Sequence, residues 1–268
     1  MKTLLIAGCG DLGVRLGRRL ENTDWRVHGL RRQAQRLPGF IRGIRADLLD
    51  PSTLRDIPAS WDAIIYQATP GERTEAAYRA AYVDGLQHLL QQVRTQRLIF
   101  VSSTAVYGQD EGEWVDENSP TEPQSFAGRT LLEAEALSAE HGGLALRFSG
   151  IYGPGREYLI RTLRAGQARC RSNPPQWTNR IHADDCAAVL HHLLELPSAQ
   201  SLYCASDSRP APRCEVLGWL ADQLDLPGPQ PDSDSKGQGK RIDNRRLTSS
   251  GFDFQYPDYQ TGYRTLLA

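Results

Sequence analysis

Leu4-Leu5-Ile6-Ala7-Gly8-Cys9-Gly10-Asp11-Leu12-Gly13 opens the chain, and its reading decides the fold. The apolar run Leu4 to Ala7 suits a fully buried strand. Val14, Leu16, Gly17 and Leu20 then recur at helical spacing, leaving Arg15, Arg18 and Arg19 for the wet side. Strand, glycine turn and helix follow in the order a dinucleotide-binding turn requires. Gly8 permits the tight turn, Gly10 lets a pyrophosphate approach the backbone, and Gly13 lets the helix lie close to the strand. Asp11 and Leu12 open the helix, whose free N–H groups and positive dipole end favour phosphate. The competing reading is a purely structural glycine turn.

Working outward, Trp25 to Leu30 reads as a second strand, and it runs into Arg31-Arg32. An Asp or Glu about 20 residues past the turn would read a ribose 2′-hydroxyl; two arginines suit a 2′-phosphate instead, so NADP is favoured over NAD. A solvated basic loop is the bland alternative. Ile41 to Ala46 is a short third strand closing on Asp47-Leu48. Asp47 either accepts from the adenine amino group or caps the turn at Asp50-Pro51-Ser52. Ala63 to Tyr66 is a fourth strand, ending in Gln67-Ala68-Thr69-Pro70, where Ala68, Thr69 and Pro70 are small enough for a dinucleotide to lie against the backbone. Arg73 to Arg94 carries a helical pattern.

Leu98 to Val101 is a fifth strand that runs into Ser102-Ser103-Thr104-Ala105-Val106-Tyr107-Gly108. Hydroxyls at the carboxyl end of a central parallel strand lie where open α/β sheets bind ligands. Thr130 to Glu140 is helical, Leu144 to Phe148 is a sixth strand, and Gly150-Ile151-Tyr152-Gly153-Pro154-Gly155-Arg156 follows. Ile181 to Asp185 leads into a helix from Cys186 to Leu196, Ser201 to Cys204 is a last strand, and Val216 to Leu224 is helical. Pro227 to Gly239, rich in Pro, Gly, Ser and Asp, reads as a mobile loop.

Length and composition bound the rest. A chain of 268 residues can bury a large core. Its formal net charge of −1 gives no global field for nucleic acid or membrane. The 5 cysteines are scattered and form no Cys-x-x-Cys pair, which suits packed thiols in a reducing compartment rather than a disulfide framework or a zinc site. No apolar run approaches the ~20 residues of a spanning helix, and the N-terminus enters a core strand directly, so no signal peptide is expected. The expectation is a cytoplasmic protein with no metal.

Taken together, the glycine turn, Ser102 to Gly108, Arg147 with Tyr152 to Arg156, and Arg180-Ile181-His182-Ala183-Asp184-Asp185 resemble an extended short-chain dehydrogenase/reductase of the NAD(P)-dependent epimerase/dehydratase family. The resemblance implies a Rossmann-type doubly wound parallel sheet, in residues 1–150 with 180–205 returning to it, and a small C-terminal substrate lobe in 151–179 and 206–268. It adds Ser102, Gly150 and Ile151 to the cofactor contacts, and Ser103 as the hydroxyl assisting catalysis. It also implies a Tyr-x-x-x-Lys pair in the helix after the fifth strand, whose lysine lowers the phenol pKa from about 10. That helix reads Phe126-Ala127-Gly128-Arg129-Thr130-Leu131-Leu132-Glu133-Ala134-Glu135. Aligned on Gly128 and Glu135, Ala127 and Leu131 stand where the pair belongs. The lysines of the chain are Lys2, Lys236 and Lys240, and none has a tyrosine four residues before it. The chain is thus similar to the atypical YeeZ-like branch. Ser103, Thr104 and Tyr107 are the remaining candidates for catalysis, each with a packing or turn role as its alternative. Arginines between Arg156 and Arg180, with Trp177, suit a small anionic substrate, and Lys240-Arg241 would close over it; a solvated basic face is the alternative. The assembly expected is a monomer or homodimer. Two functions stay open: an oxidoreductase or epimerase with an unusual centre, or a catalytically silent NADP-binding sensor or scaffold.

Overall fold

The computed structural model describes residues 1–232 and 236–267. Residues 233–235 of the expected mobile loop, and 268 at the end of the lobe, lie outside them. The chain divides into two compact units.

The first unit comprises residues 1–106, 123–147 and 187–203 and is built on a seven-stranded sheet. Its strands are β1 (Lys2–Ala7), β2 (Trp25–Arg31), β3 (Arg42–Arg45), β4 (Ala63–Tyr66), β5 (Leu98–Ser103), β6 (Leu144–Phe148) and β7 (Leu202–Ala205), of which Phe148, Cys204 and Ala205 are counted with the second unit. Their spatial order is β7-β6-β5-β4-β1-β2-β3. The order reverses at β1: β2 pairs in parallel with one side of it, β4 with the other. That reversal opens a crevice at the carboxyl end of β1. The strands there are apolar without alternation, and Leu4, Leu5, Ile6, Ile64 and Ile65 have no exposed surface. Helices covering both faces of a parallel sheet explain such runs.

Helix α1 (Asp11–Arg19) follows the glycine turn at once. The helical pattern from Arg73 to Arg94 becomes α2 (Glu75–Arg79), a π turn (Ala80–Asp84) and α3 (Gly85–Gln92). The buried Tyr66 phenol donates to the Ala81 carbonyl at 2.5 Å. It thereby takes up an acceptor within the π turn. Helix α4 (Phe126–Glu140) starts four residues before the expected Thr130, because the Ser125 side chain caps it by accepting from the Gly128 N–H at 3.2 Å.

The second unit comprises residues 107–122, 148–186 and 204–268. Residues 107–122 and 180–186 therefore group with the lobe residues. Its core packs Tyr152, Ile160, Leu163, Leu217, Leu220 and Tyr263. Helices at Tyr158–Arg164, Arg245–Ser249 and Tyr259–Leu267 are short and are not among those expected from the sequence. One expectation is overturned here. The cysteines are not all thiols: Cys170 and Cys214 form a disulfide across 44 residues, while Cys9, Cys186 and Cys204 stay free and buried. Spacing along the chain could not reveal a pair made by folding Cys214, at the start of the helix Arg213–Leu224, against Cys170. Among the described residues no helix is long and apolar enough to cross a membrane.

Candidate functional site

The first unit holds a cleft of about 720 Å³ at the carboxyl end of β1. Gly8 and Gly10, Arg31 and Arg32, Asp47 and Leu48, and Ala68, Thr69 and Pro70 all line it. Nine residues expected to touch a cofactor, from four separate stretches, thus meet at one place.

The turn itself is built for close approach. Gly8 has φ +76°, and a Cβ there would lie 2.5 Å from the Ala68 Cα. Only glycine meets both constraints. At Gly10 a Cβ would meet nothing nearer than the Gly8 oxygen at 3.9 Å, so the space above that backbone is open to a phosphate. Gly13 is packed instead, its absent Cβ replaced by Gln67 Nε2 at 2.5 Å and Cys9 Sγ at 2.9 Å. Asp11 is exposed at the helix start with Arg15 at 3.2 Å, and Leu12 is buried beneath the turn. A cofactor with a pyrophosphate fits this cradle: the open backbone at Gly10 and the α1 N-terminus would hold its phosphates.

Three supporting groups escape motif reading. Gln67, 8 % exposed, reaches the Gly8 carbonyl with Nε2 at 3.5 Å. Burial pushes the Cys9 thiol up to about 11, so it packs as a neutral group between α1 and β2. Arg31 donates through Nη1 to the Cys9 carbonyl at 3.2 Å, tying this arginine to the glycine turn. Arg32 is exposed on the rim. Ala77, Ala80 and Ala81 also line the cleft, so α2 and the π turn place small side chains along it.

Asp47 does not cap the turn that follows; Asp50 does, accepting from the Ser52 N–H at 3.0 Å. Asp47 accepts from the Leu49 N–H at 3.0 Å while still lining the cleft. The Leu48 carbonyl is held by His88 Nδ1 at 2.9 Å.

At the end of β5 the hydroxyls diverge. Ser102 turns inward and donates to Glu135 Oε1 at 2.5 Å. Arg147 grips the same carboxylate through Nε at 2.9 Å and Nη2 at 2.6 Å. The side chains of this pair are only 5 % and 10 % exposed. Ser103 and Thr104 are half-buried, and Ser103 Oγ accepts from the Ala105 N–H at 3.2 Å. Ala127 and Leu131 are buried on α4.

The remaining candidates lie in the second unit. Tyr107 is buried; its hydroxyl donates to the Asp116 carbonyl at 2.7 Å and lies 3.1 Å from Cys204 Sγ. Gly150 and Ile151 pair in parallel with Arg180 and Ile181. The Asp185 carboxylate accepts from the Gln255 and Tyr256 N–H groups at 2.9 and 3.0 Å, a structural clamp. The arginines from Arg156 to Arg180 do not form one basic face. Arg180 is buried with its guanidinium 5.4 Å from the Tyr259 ring centre, whereas Arg161, Arg164 and Arg169 are exposed. Lys240 donates to the Tyr107 carbonyl at 2.7 Å, and Arg241 is stacked between Trp114 and Trp177 at 5.1 and 4.8 Å. Among the described residues no group of three or more His, Cys, Asp or Glu side chains could hold a metal.

Comparison with known proteins agrees with this architecture. Residues 4–203 match the model of the NAD dependent epimerase/dehydratase family. Protein YeeZ of Escherichia coli K12 is 31 % identical over 96 % of this chain and 97 % of its own. A solved structure from Methylobacillus flagellatus, assigned as an NAD-dependent epimerase/dehydratase, is 40 % identical, with a TM-score of 0.86 over 99 % of this chain and 97 % of that one. MoeE5, solved in complex with UDP-glucose and NAD, is 25 % identical with a TM-score of 0.82 over 99 % and 97 %.

Proposed function

The chain belongs to the NAD-dependent epimerase/dehydratase family, and on that premise we propose that it binds NADP in the cleft of the first unit and exchanges a hydride with a small anionic substrate without a Tyr/Lys pair. The observation carrying this reading is the cleft itself: an open glycine backbone at a helix N-terminus, with two arginines also lining it. When bound, the nicotinamide supplies the hydride chemistry. The protein supplies phosphate contacts from the Gly10 backbone, a guanidinium from Arg32 for the 2′-phosphate, and hydroxyls from Ser103 and Thr104 for the substrate. A positioned acid or base is worth ~10²–10⁴ in rate, and orientation can be worth more. The loss of the usual pair therefore slows the centre without silencing it. UDP-sugars, the kind of ligand MoeE5 was solved with, head the anionic candidates.

A second reading is a dinucleotide-binding sensor without turnover. It is favoured by Ala127 and Leu131, buried apolar groups at the two positions the relay would occupy.

Titration with NADPH and NADH tests the first claim. A charge-assisted hydrogen bond contributes ~1.5–3 kcal/mol, so Arg32→Ala is expected to weaken NADPH roughly 10–150-fold and NADH little. Equal affinities of the wild type for both would remove NADP. A screen of carbonyl compounds and nucleotide sugars then separates the readings: tight cofactor binding with no turnover favours the sensor.

A further inference from the structure

Strand β3 ends the seven-stranded sheet, and its outer edge is open. Arg26, Arg32, Arg36, Arg42 and Arg45 are gathered on β2, β3 and the turn between them, and all five are exposed. Among the described residues none of them holds a carboxylate. Arg18, Arg79, Arg209 and Arg245, also exposed, each do, at 2.6–3.1 Å. The protein as a whole carries −1, so this edge is a local concentration of positive charge.

The register shows how it is laid out. Arg42 stands opposite His28, and Arg26 is two residues before His28, so these three share one face of the sheet. Arg45 stands opposite Arg31 on the other face. Burial first, with the charges of Arg42 and Arg26 adding to it, pushes the His28 imidazole below its ordinary range. Charged side chains guard an edge strand against pairing; here arginines stand on both faces of β3 itself, Arg42 on one and Arg45 on the other.

We propose that this edge is a docking site for an acidic protein segment, which adds as an extended strand beside β3 with carboxylates reaching both faces. Strand addition uses the outward N–H and C=O groups of Arg42–Arg45, and the arginines supply the charge selectivity. Nucleic acid could satisfy the arginines but not the open ladder.

The probe is a fluorescein-labelled hexapeptide of glutamates and valines that carries acids on both faces when extended. A version with proline at two central positions cannot pair, and a 20-nucleotide oligo(dT) tests charge alone. Anisotropy is read with the full chain under saturating NADPH. The expected result is binding that weakens at least 10-fold between about 50 and 300 mM salt. It should also weaken at least 10-fold for the proline peptide and for Arg42→Glu/Arg45→Glu. Arg42→Gln/Arg45→Gln serves as a milder variant, and an unchanged NADPH affinity shows that either variant is folded. No binding by the wild type at about 1 mM peptide, or equal binding of the proline peptide or the oligonucleotide, overturns the proposal.

Discussion

Removing the carboxylate of Glu135 perturbs a buried, heavily loaded polar contact of the first unit. That carboxylate takes two hydrogen bonds from Arg147 and one from Ser102, at 2.5–2.9 Å. Arg147 is 4 % exposed and Ser102 5 %, so water cannot replace what is lost. Breaking one partner of a buried ion pair costs ~3–5 kcal/mol. With a urea slope of ~3 kcal/mol per molar, the midpoint of Glu135→Ala should fall by roughly 1–2 M. Glu135→Gln keeps the shape without the charge and should lose less. The double variant Glu135→Leu/Arg147→Met removes both charges and fills similar volume; it should recover most of the loss, because buried pairs are often matched by packed apolar groups. Urea titration followed by tryptophan fluorescence reads all three. A midpoint for Glu135→Ala within about 0.3 M of the wild type would refute the reasoning, since that shift is below ~1 kcal/mol. A double variant worse than the single would refute the claim that the unpaired guanidinium is the source of the loss.

Other consequences follow from the same structure. Gly8→Ala forces a side chain into φ +76° and against the Ala68 backbone, and calorimetry should find dinucleotide affinity reduced by ~100-fold or more, from strain of a few kcal/mol. Replacing Cys170 and Cys214 by serine opens a 44-residue loop, worth up to ~4 kcal/mol in the chain-entropy account; a urea midpoint below that of the wild type in oxidising buffer is expected, and an unchanged midpoint would reject it. Burial raises the Asp207 carboxyl to about 8. A raised folded-state value means the native protein holds a proton the unfolded chain has lost, so stability falls as pH rises from about 4 to about 8. Asp207→Asn should flatten that part of the midpoint-versus-pH curve, and an unchanged curve would reject the assignment.

The sequence by itself determined the architecture and the place of the cleft. Both are local in origin. An apolar run, three spaced glycines and an amphipathic helix specify strand, turn and helix within twenty residues, and the alternation of such units specifies a parallel sheet whose order reverses at β1. The absent Tyr-x-x-x-Lys pair was equally legible, being a matter of counting. Tertiary structure alone decided which polar groups are used up. Ser102 and Ser103 are neighbours of the same type, yet one is consumed by Glu135, 33 residues on, and the other is not. Arg180 reads as part of a basic run but is buried over Tyr259, and Tyr107 reads as either a catalytic phenol or a packing group and is bonded to the Asp116 carbonyl. Cys170 meets Cys214 only when the chain closes between them. Burial and pairing depend on contacts between distant residues, and those contacts leave no period or spacing in the chain from which they could be read.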